Sequence, residues 1–280
     1  MERIKSWEEL TIQDNFLFQR LMQLRPDLCQ ELLELILGVR IVELHNPESE
    51  KSISEAYNNK SIRLDVYAID ANGTIYDIEM QTSNKQEDDL AKRTRYYQGL
   101  IDLNILTKGA KYEALKKSYI IFICTFDYFK KGRSIYTFQN LCVEDSSLPL
   151  QDDSYKIFLN TTSIGNDVSE DLKHFLDYVA GHKPQGIFTN KIAEAVDKLK
   201  EHKETRVDYM TYKLEIERQR DAAANEARIE GRREGEQLGK HADAIEMFKD
   251  GLNIDKIVQY TKLPVDQVRT IGLQGGYISA

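Results

Sequence analysis

Residues 62–81, IRLDVYAIDANGTIYDIEMQ, alternate apolar and polar positions on both sides of an Asn-Gly pair. Alternation of this kind marks half-buried strands, and Asn-Gly between two such runs marks a hairpin. Upstream, apolar residues recur at helical spacing. In TIQDNFLFQRLMQ they are Phe16, Phe18, Leu21, Met22 and Leu24, with Asp14 as N-cap. In PDLCQELLELILG they are Leu28, Leu32, Leu35 and Ile36, with Pro26 in the first turn and Gly38 at the end. IVELH reads as a short strand. Residues 87–107 read as a long amphipathic helix begun near Asp88 or Asp89, with Leu90, Tyr97, Ile101 and Leu103 or Ile105 inward. YIIFICTF (119–126) is a continuous apolar run, the pattern of a central strand covered on both faces. SIYTFQNLCV (134–143) and YKIFLN (155–160) predict further strands, and DVSEDLKHFLDYVAG a helix ending at Gly181.

This order predicts an α/β domain with a mixed sheet flanked by helices, spanning residues 1–185. A long charged helical segment follows at 186–250, then a small helical tail at 251–280 with breaks at Gly251 and at Lys262–Pro264. Gly231, Gly235 and Gly239 recur along one face of the charged segment. They suit either a self-associating helix, and so a homo-oligomer, or a fraying linker. Residues 253–272 have a helix-turn-helix flavour, but Arg269 is the obvious DNA contact of the second helix and it stands beside Asp266. A small packing module is the reading preferred for them.

The hairpin admits two turn lengths. A two-residue loop sets Asp65 against Met80 and Glu79 against Val66, mixing charge with apolar side chains on each face. A three-residue loop, a type I turn with Gly73 left-handed as a bulge, pairs Asp70 with Thr74. Ile62, Leu64, Val66 and Ala68 then share a face with Tyr76, Ile78 and Met80, and Arg63, Asp65 and Tyr67 share the other with Asp77, Glu79 and Gln81. A slip of one residue exchanges the faces, so the clean separation favours the longer loop. Asp65 then stands opposite Glu79 with Cβ atoms roughly 4.5–5.5 Å apart, where like charges repel. Two readings are open: a surface salt-bridge ladder through Arg63, or a divalent cation between the carboxylates. Mg²⁺ takes hard oxygen ligands, commonly one or two carboxylates with water and phosphate, and the hairpin supplies that number. Gln81 lies on the same face, roughly 7 Å along the strand from Glu79, and can orient a water or a phosphate oxygen.

Composition narrows the choice. The chain has 280 residues, 41% hydrophobic and 30% charged, enough for a sizeable core. Its net charge of −8 argues against a wholly basic nucleic-acid coat protein but leaves room for a local basic rim, for which KQEDDLAKRTR and KKGR are the candidates. No run approaches a membrane span and MERIKSWEEL lacks a signal layout, so the expected compartment is the cytosol, with no membrane partner. Cys29, Cys124 and Cys142 are far apart and read as buried reduced thiols, and the five histidines are scattered, against a zinc site.

RLDVYAIDANGTIYDIEMQ resembles the core of the PD-(D/E)XK nuclease superfamily: an Asp on one strand, then (D/E)-X-K on the next after a hairpin. More narrowly, the chain is similar to the Rpn family of recombination-promoting nucleases and transposases, where E-X-Q stands for E-X-K, as Glu79-Met80-Gln81 does here. DNFLFQRLM with PDLCQELLELILG resembles that family's N-terminal helical pair. RTRYYQGLIDLNIL resembles the helix after the catalytic strand, and SYIIFICTFDYF and YKIFLNT its later strands. The likeness spans residues 12–180.

The resemblance implies a PD-(D/E)XK restriction-endonuclease-like fold and a Mg²⁺-dependent DNA endonuclease, with Mn²⁺ as a second candidate cation. It also implies a role in recombination or with mobile elements. Asp65 and Glu79 would hold the metal. Glu31 matches the helical acid that many members add, with Glu34 as the alternative and a solvent-facing glutamate as the competing reading of both. Gln81 in place of Lys can position but cannot carry charge. Arg93 and Arg95 are therefore candidates for the missing positive charge, with outward arginines on an amphipathic helix as the competing reading of both, and, with Tyr97 and Gln98, for contacts to DNA and water. The competing function is a catalytically weak or inactive DNA- or protein-binding subunit of the same fold. A helical adaptor built around residues 189–249 is a third.

Overall fold

The computed structural model describes residues 3–53, 62–83, 89–106 and 109–278, and the side chains at 46, 49–53, 62 and 63 lie outside that description. Arg63 and Asp88, weighed above, therefore fall outside it too.

Two helices open the fold. α1 (Asn15–Leu24) buries Leu17, Phe18, Leu21 and Met22, and with them one polar side chain, Gln19. Leu24, expected inward, is exposed at the last turn. Asp14 stands at the N-cap, but its carboxylate takes the Thr11 N–H at 2.7 Å instead of a helix donor. α2 (Pro26–Leu37) begins on Pro26, whose missing N–H has no helical use there, and closes on Gly38 at φ 66°.

β1 (Leu44–Ile53), β2 (Ile62–Asp70) and β3 (Ile75–Gln81) form an antiparallel meander; α3 (Leu90–Ile105) crosses over to β4 (Ser118–Cys124), which is parallel to β3. β5 (Ile135–Phe138) and β6 (Ser154–Asn160) complete a six-stranded mixed sheet in the order β1-β2-β3-β4-β6-β5. The predicted strand at IVELH starts later and runs longer. Its pairing shifts between His45 and Glu48, around Pro47, and then continues through polar residues against β2. Pro cannot donate to a ladder and is tolerated on an edge strand at a bulge, so the pattern reading stops where the strand in fact begins. β5 is shorter than the run 134–143 predicted, four residues at the opposite edge.

The hairpin turn has the three-residue form. Asp70 N–H donates to Thr74 O at 3.0 Å, Gly73 N–H to Asp70 O at 2.9 Å, and Gly73 sits at φ 81°. A side chain is strained at that angle, which is why glycine stands there. The Asp70 carboxylate locks the turn by accepting the N–H groups of Asn72 and Thr74, each at 2.9 Å. Val66 consequently pairs with Ile78, and Ala68 with Tyr76.

β4 lies between β3 and β6, and Ile120, Ile121, Phe122 and Ile123 are fully buried. Each such side chain contributes about 1.5–3 kcal/mol. α3 covers Ile75, Ile120, Phe122 and Phe158 with Leu90, Tyr97, Leu100 and Ile101, while Leu103 is exposed. α4 (Glu170–Val179) is capped by Ser169, whose hydroxyl accepts the Leu172 N–H. Cys29 and Cys124 are buried thiols, whereas Cys142 is only partly buried and donates to Glu144 at 3.2 Å.

α5 (Ile187–Glu201) and the start of α6 (Lys203–Lys249) belong to the same compact unit, residues 1–209, which extends beyond the expected boundary at 185. The Trp7 indole N–H donates to Lys200 O at 3.2 Å, and the Tyr209 ring meets Trp7 and Phe16 at 5.7 and 5.1 Å. The second unit, 210–280, packs Ala244 and Phe248 of α6 against Ile257 of α7 (Ile254–Thr261), Leu263, and Val268 and Ile271 of α8 (Val265–Gln274). Between its packed ends α6 is exposed all round at residues 221–239, a polar stretch supported by pairs such as Arg232–Glu236 at 3.6 Å. Among the described residues no helix is long and apolar enough to cross a membrane.

Candidate active site

Beyond the Val66–Ile78 pair the β2–β3 ladder gives way to side chains. The Asp65 N–H donates to Glu79 Oε1 at 3.0 Å, and the Met80 N–H donates to Asp65 Oδ2 at 3.2 Å. Each carboxylate thus takes a backbone N–H of the opposite strand, and the two acids are fixed face to face. Gln19 of α1 donates from Nε2 to Asp65 Oδ1 at 2.6 Å. Asp65, Glu79 and Gln81 are 7%, 4% and 8% exposed, and Asp77, two residues before Glu79, is 0% exposed.

α3 supplies the positive charge. It starts soon after β3, so Arg93 and Tyr97, one turn apart, point back to the end of that strand. Arg93 donates from Nη1 to Gln81 Oε1 at 3.1 Å, and from Nη2 to Tyr97 Oη at 2.8 Å and Glu79 Oε2 at 3.3 Å. Its guanidinium lies over the rings of Tyr97 and Phe122, 5.4 and 5.2 Å from their centroids, a stacking that planar guanidinium suits better than ammonium. Gln81 Nε2 donates to Ser83 O at 2.7 Å, so both ends of the amide are engaged.

Three carboxyl groups share this buried region with one guanidinium among the described residues. Burial, and then the charge of Asp65, pushes Glu79 up to about 8 despite the nearby Arg93. Burial, followed by the charges of Glu79 and Asp65, holds Asp77 well above the usual carboxylate range. Both Asp77 oxygens are buried without an N–H donor, and the group interacts with the Glu79 carboxyl. Acids packed this way need a proton or a cation between them. The donor set is all oxygen, which suits Mg²⁺ or Mn²⁺ rather than a thiolate-seeking ion. Among the described residues no group of three His, Cys, Asp or Glu side chains forms a ready cage for an ion. Mg²⁺ commonly uses only one or two carboxylates, with water and phosphate completing its shell, so the residues present fit that cation.

Other expected site residues lie elsewhere. Glu31 pairs with Lys191 of α5 at 3.0 Å on a half-exposed surface and does not join Asp65 and Glu79. The inner face of α2 is filled by Leu28, Cys29, Leu32, Leu33 and Ile36, leaving Glu31 to α5. Glu34 accepts the Ile41 N–H at 2.8 Å and ties the helix end to the following loop. Gln98 donates to Asp102 and accepts from Ser118 and Ser154 at the starts of β4 and β6, away from the end of β3 that holds Gln81. Arg95 is exposed on α3. Gln19 is not among the expected site residues, although an amide inside the apolar run FLFQRLM is the same signal that marks Asp65. The alternation puts Asp77 on the polar face without pointing to the complete burial found there.

A family model described as "PD-(D/E)XK nuclease family transposase" matches residues 14–179. No curated protein and no solved structure matches the chain.

Proposed function

Since the chain belongs to the PD-(D/E)XK nuclease family transposases, we propose that it is a metal-dependent DNA endonuclease that hydrolyses phosphodiester bonds, acting in recombination or with mobile elements. The observation that carries this reading is the reciprocal bonding of Asp65 and Glu79 across β2 and β3, which holds two buried carboxylates together beside Arg93.

Asp65 and Glu79 would hold Mg²⁺ or Mn²⁺, which when bound supplies Lewis acidity at a phosphoryl oxygen and a more acidic water. Gln19 and the Met80 N–H set the orientation of Asp65, and the Asp65 N–H sets that of Glu79. Arg93, bonded to Gln81 at 3.1 Å and to Glu79 at 3.3 Å, would supply the positive charge that Gln81 lacks and would face the negative charge that builds on the phosphoryl oxygens. Gln81 then acts through Arg93: its oxygen holds one arm of the guanidinium while Ser83 holds its nitrogen. Tyr97 holds the other arm.

Supercoiled-plasmid cleavage with Mg²⁺, Mn²⁺ or EDTA tests the proposal. Asp65→Ala and Glu79→Ala should each lose at least ~100-fold in rate, with Arg93→Ala close behind, while circular dichroism stays that of the parent. Cleavage by either carboxylate variant at the parent rate would refute the assignment.

A further inference from the structure

The chain carries a net charge of −8, yet Lys130-Lys131-Gly132-Arg133 places three cations in four residues. That turn is built to keep its shape. The Asp127 carboxylate accepts the N–H groups of Phe129 at 3.1 Å, Lys130 at 2.9 Å and Gly132 at 2.6 Å, and the Tyr136 hydroxyl at 2.9 Å. Lys130 sits at φ 56°, a left-handed conformation that a lysine adopts only when its surroundings impose it. On the far side, Asn160 Nδ2 donates to Arg133 O at 2.9 Å, the Ser163 hydroxyl to Gly132 O at 2.8 Å, and the Ser134 N–H to Asp167 at 3.0 Å. Beneath, Phe129 packs on Tyr136, Phe138 and Phe158 at 4.9, 4.9 and 5.1 Å.

The backbone is held from three sides while the cationic side chains stay exposed. Arg133 has a surface pair with Asp167 at 3.6 Å, and among the described residues Lys130 and Lys131 have no carboxylate partner.

Its position relates it to the carboxylates. β4 ends at Cys124, level with Gln81 on β3, and the next N–H, of Thr125, donates to Gln81 O at 3.0 Å. The turn leaves the sheet directly after that point. An aromatic row joins the two places: Arg93 over Phe122, Phe122 stacked on Phe158 at 5.6 Å, and Phe158 stacked on Tyr128 at 5.7 Å.

We propose that Lys130, Lys131 and Arg133 grip the DNA backbone, binding phosphates beside the site of cleavage; this rests on the nuclease reading above. An acidic chain repels DNA on average, so its affinity must come from a local cationic element. Exposed cations on a fixed backbone bind phosphates at small entropic cost, and they carry no base specificity.

The test is duplex binding by the full chain, read by fluorescence anisotropy in EDTA and again in Ca²⁺, between about 50 and 200 mM salt. K130A/K131A/R133A should bind about 10-fold more weakly or worse. The slope of log affinity against log salt should become shallower by roughly 2–3, since each phosphate neutralised by a cation contributes about 0.9 to it. Lys131→Glu alone should move in the same direction. R228A/R232A/R233A makes an equal charge change on the exposed part of α6 and should stay within about twofold of the parent. If the parent binds DNA while the turn variants keep its affinity and slope, or if the α6 variant falls equally, the turn assignment is overturned and the nuclease reading stands. If the parent binds no duplex under either condition, both fall together.

Discussion

Asp127 and the Asp65–Asp77–Glu79 group use the same functional group to opposite ends. Burial pushes the Asp127 carboxyl up, but donors from Gly132, Tyr136, Lys130 and Phe129 outweigh it and hold the group below the usual range. At the hairpin three buried carboxyls lie together, Asp77 without an N–H donor among the described residues, and burial with their mutual charges drives Glu79 and Asp77 upward. A carboxylate surrounded by donors is a fastener: its charge goes into holding a loop. Acids buried against one another keep a negative potential that a cation can use.

The largest expected effect is on metal-free stability. Glu79 moves from 4.5 to about 8 on folding. An acid raised in the folded state costs nothing below its unfolded value and its full amount above its folded value. Stability in EDTA should therefore fall as pH rises from about 4.5 to about 8, with Asp77 acting in the same direction. Urea unfolding across that range measures it, and Mg²⁺ should remove most of the loss. A flat profile in EDTA would break the contrast with Asp127.

Asp127→Ala comes next. Four donors lose their acceptor, and unfolding at neutral pH should become easier by about 1–3 kcal/mol. The sign with pH is opposite to that of the hairpin: a lowered acid stabilises above its unfolded value, so the difference from the parent should shrink as pH falls through the lowered folded value. A difference that instead grew in acid would show that Asp127 is not the fastener described.

The smallest effect is expected at Glu31. Its pair with Lys191 is partly exposed at both ends, and such pairs contribute about 0–1 kcal/mol. Glu31→Gln should leave both unfolding and plasmid cleavage close to the parent. Loss of cleavage would return Glu31 to the site, from which the structure separates it.

Legibility followed the range of the interactions. The hairpin register could be read because the alternation, the Asn-Gly turn and the opposed acids all lie within twenty residues, and the observed pairing of Val66 with Ile78 is the one expected. The helix after β3 could be placed for the same reason, its apolar set lying within one short segment. The extent of β1 is not legible in the sequence, because its polar residues and Pro47 hide a strand that pairs with β2. That Gln19 meets Asp65 while Glu31 pairs with Lys191 is not legible in the sequence, because both lie on amphipathic helices and periodicity does not say which residue meets a strand more than thirty positions away.

From sequence alone this chain determined a bulged hairpin that opposes two carboxylates, since a period of two and one turn leave a single register with clean faces. Tertiary structure alone decided the contacts around those carboxylates: Gln19 of α1 donates to Asp65, Arg93 reaches Gln81, Glu79 and Tyr97, and among the described residues the Asp77 carboxyl is buried without an N–H donor. Those contacts depend on how helices dock on the sheet. Docking is set by the packing of the whole core, and no local pattern contains it.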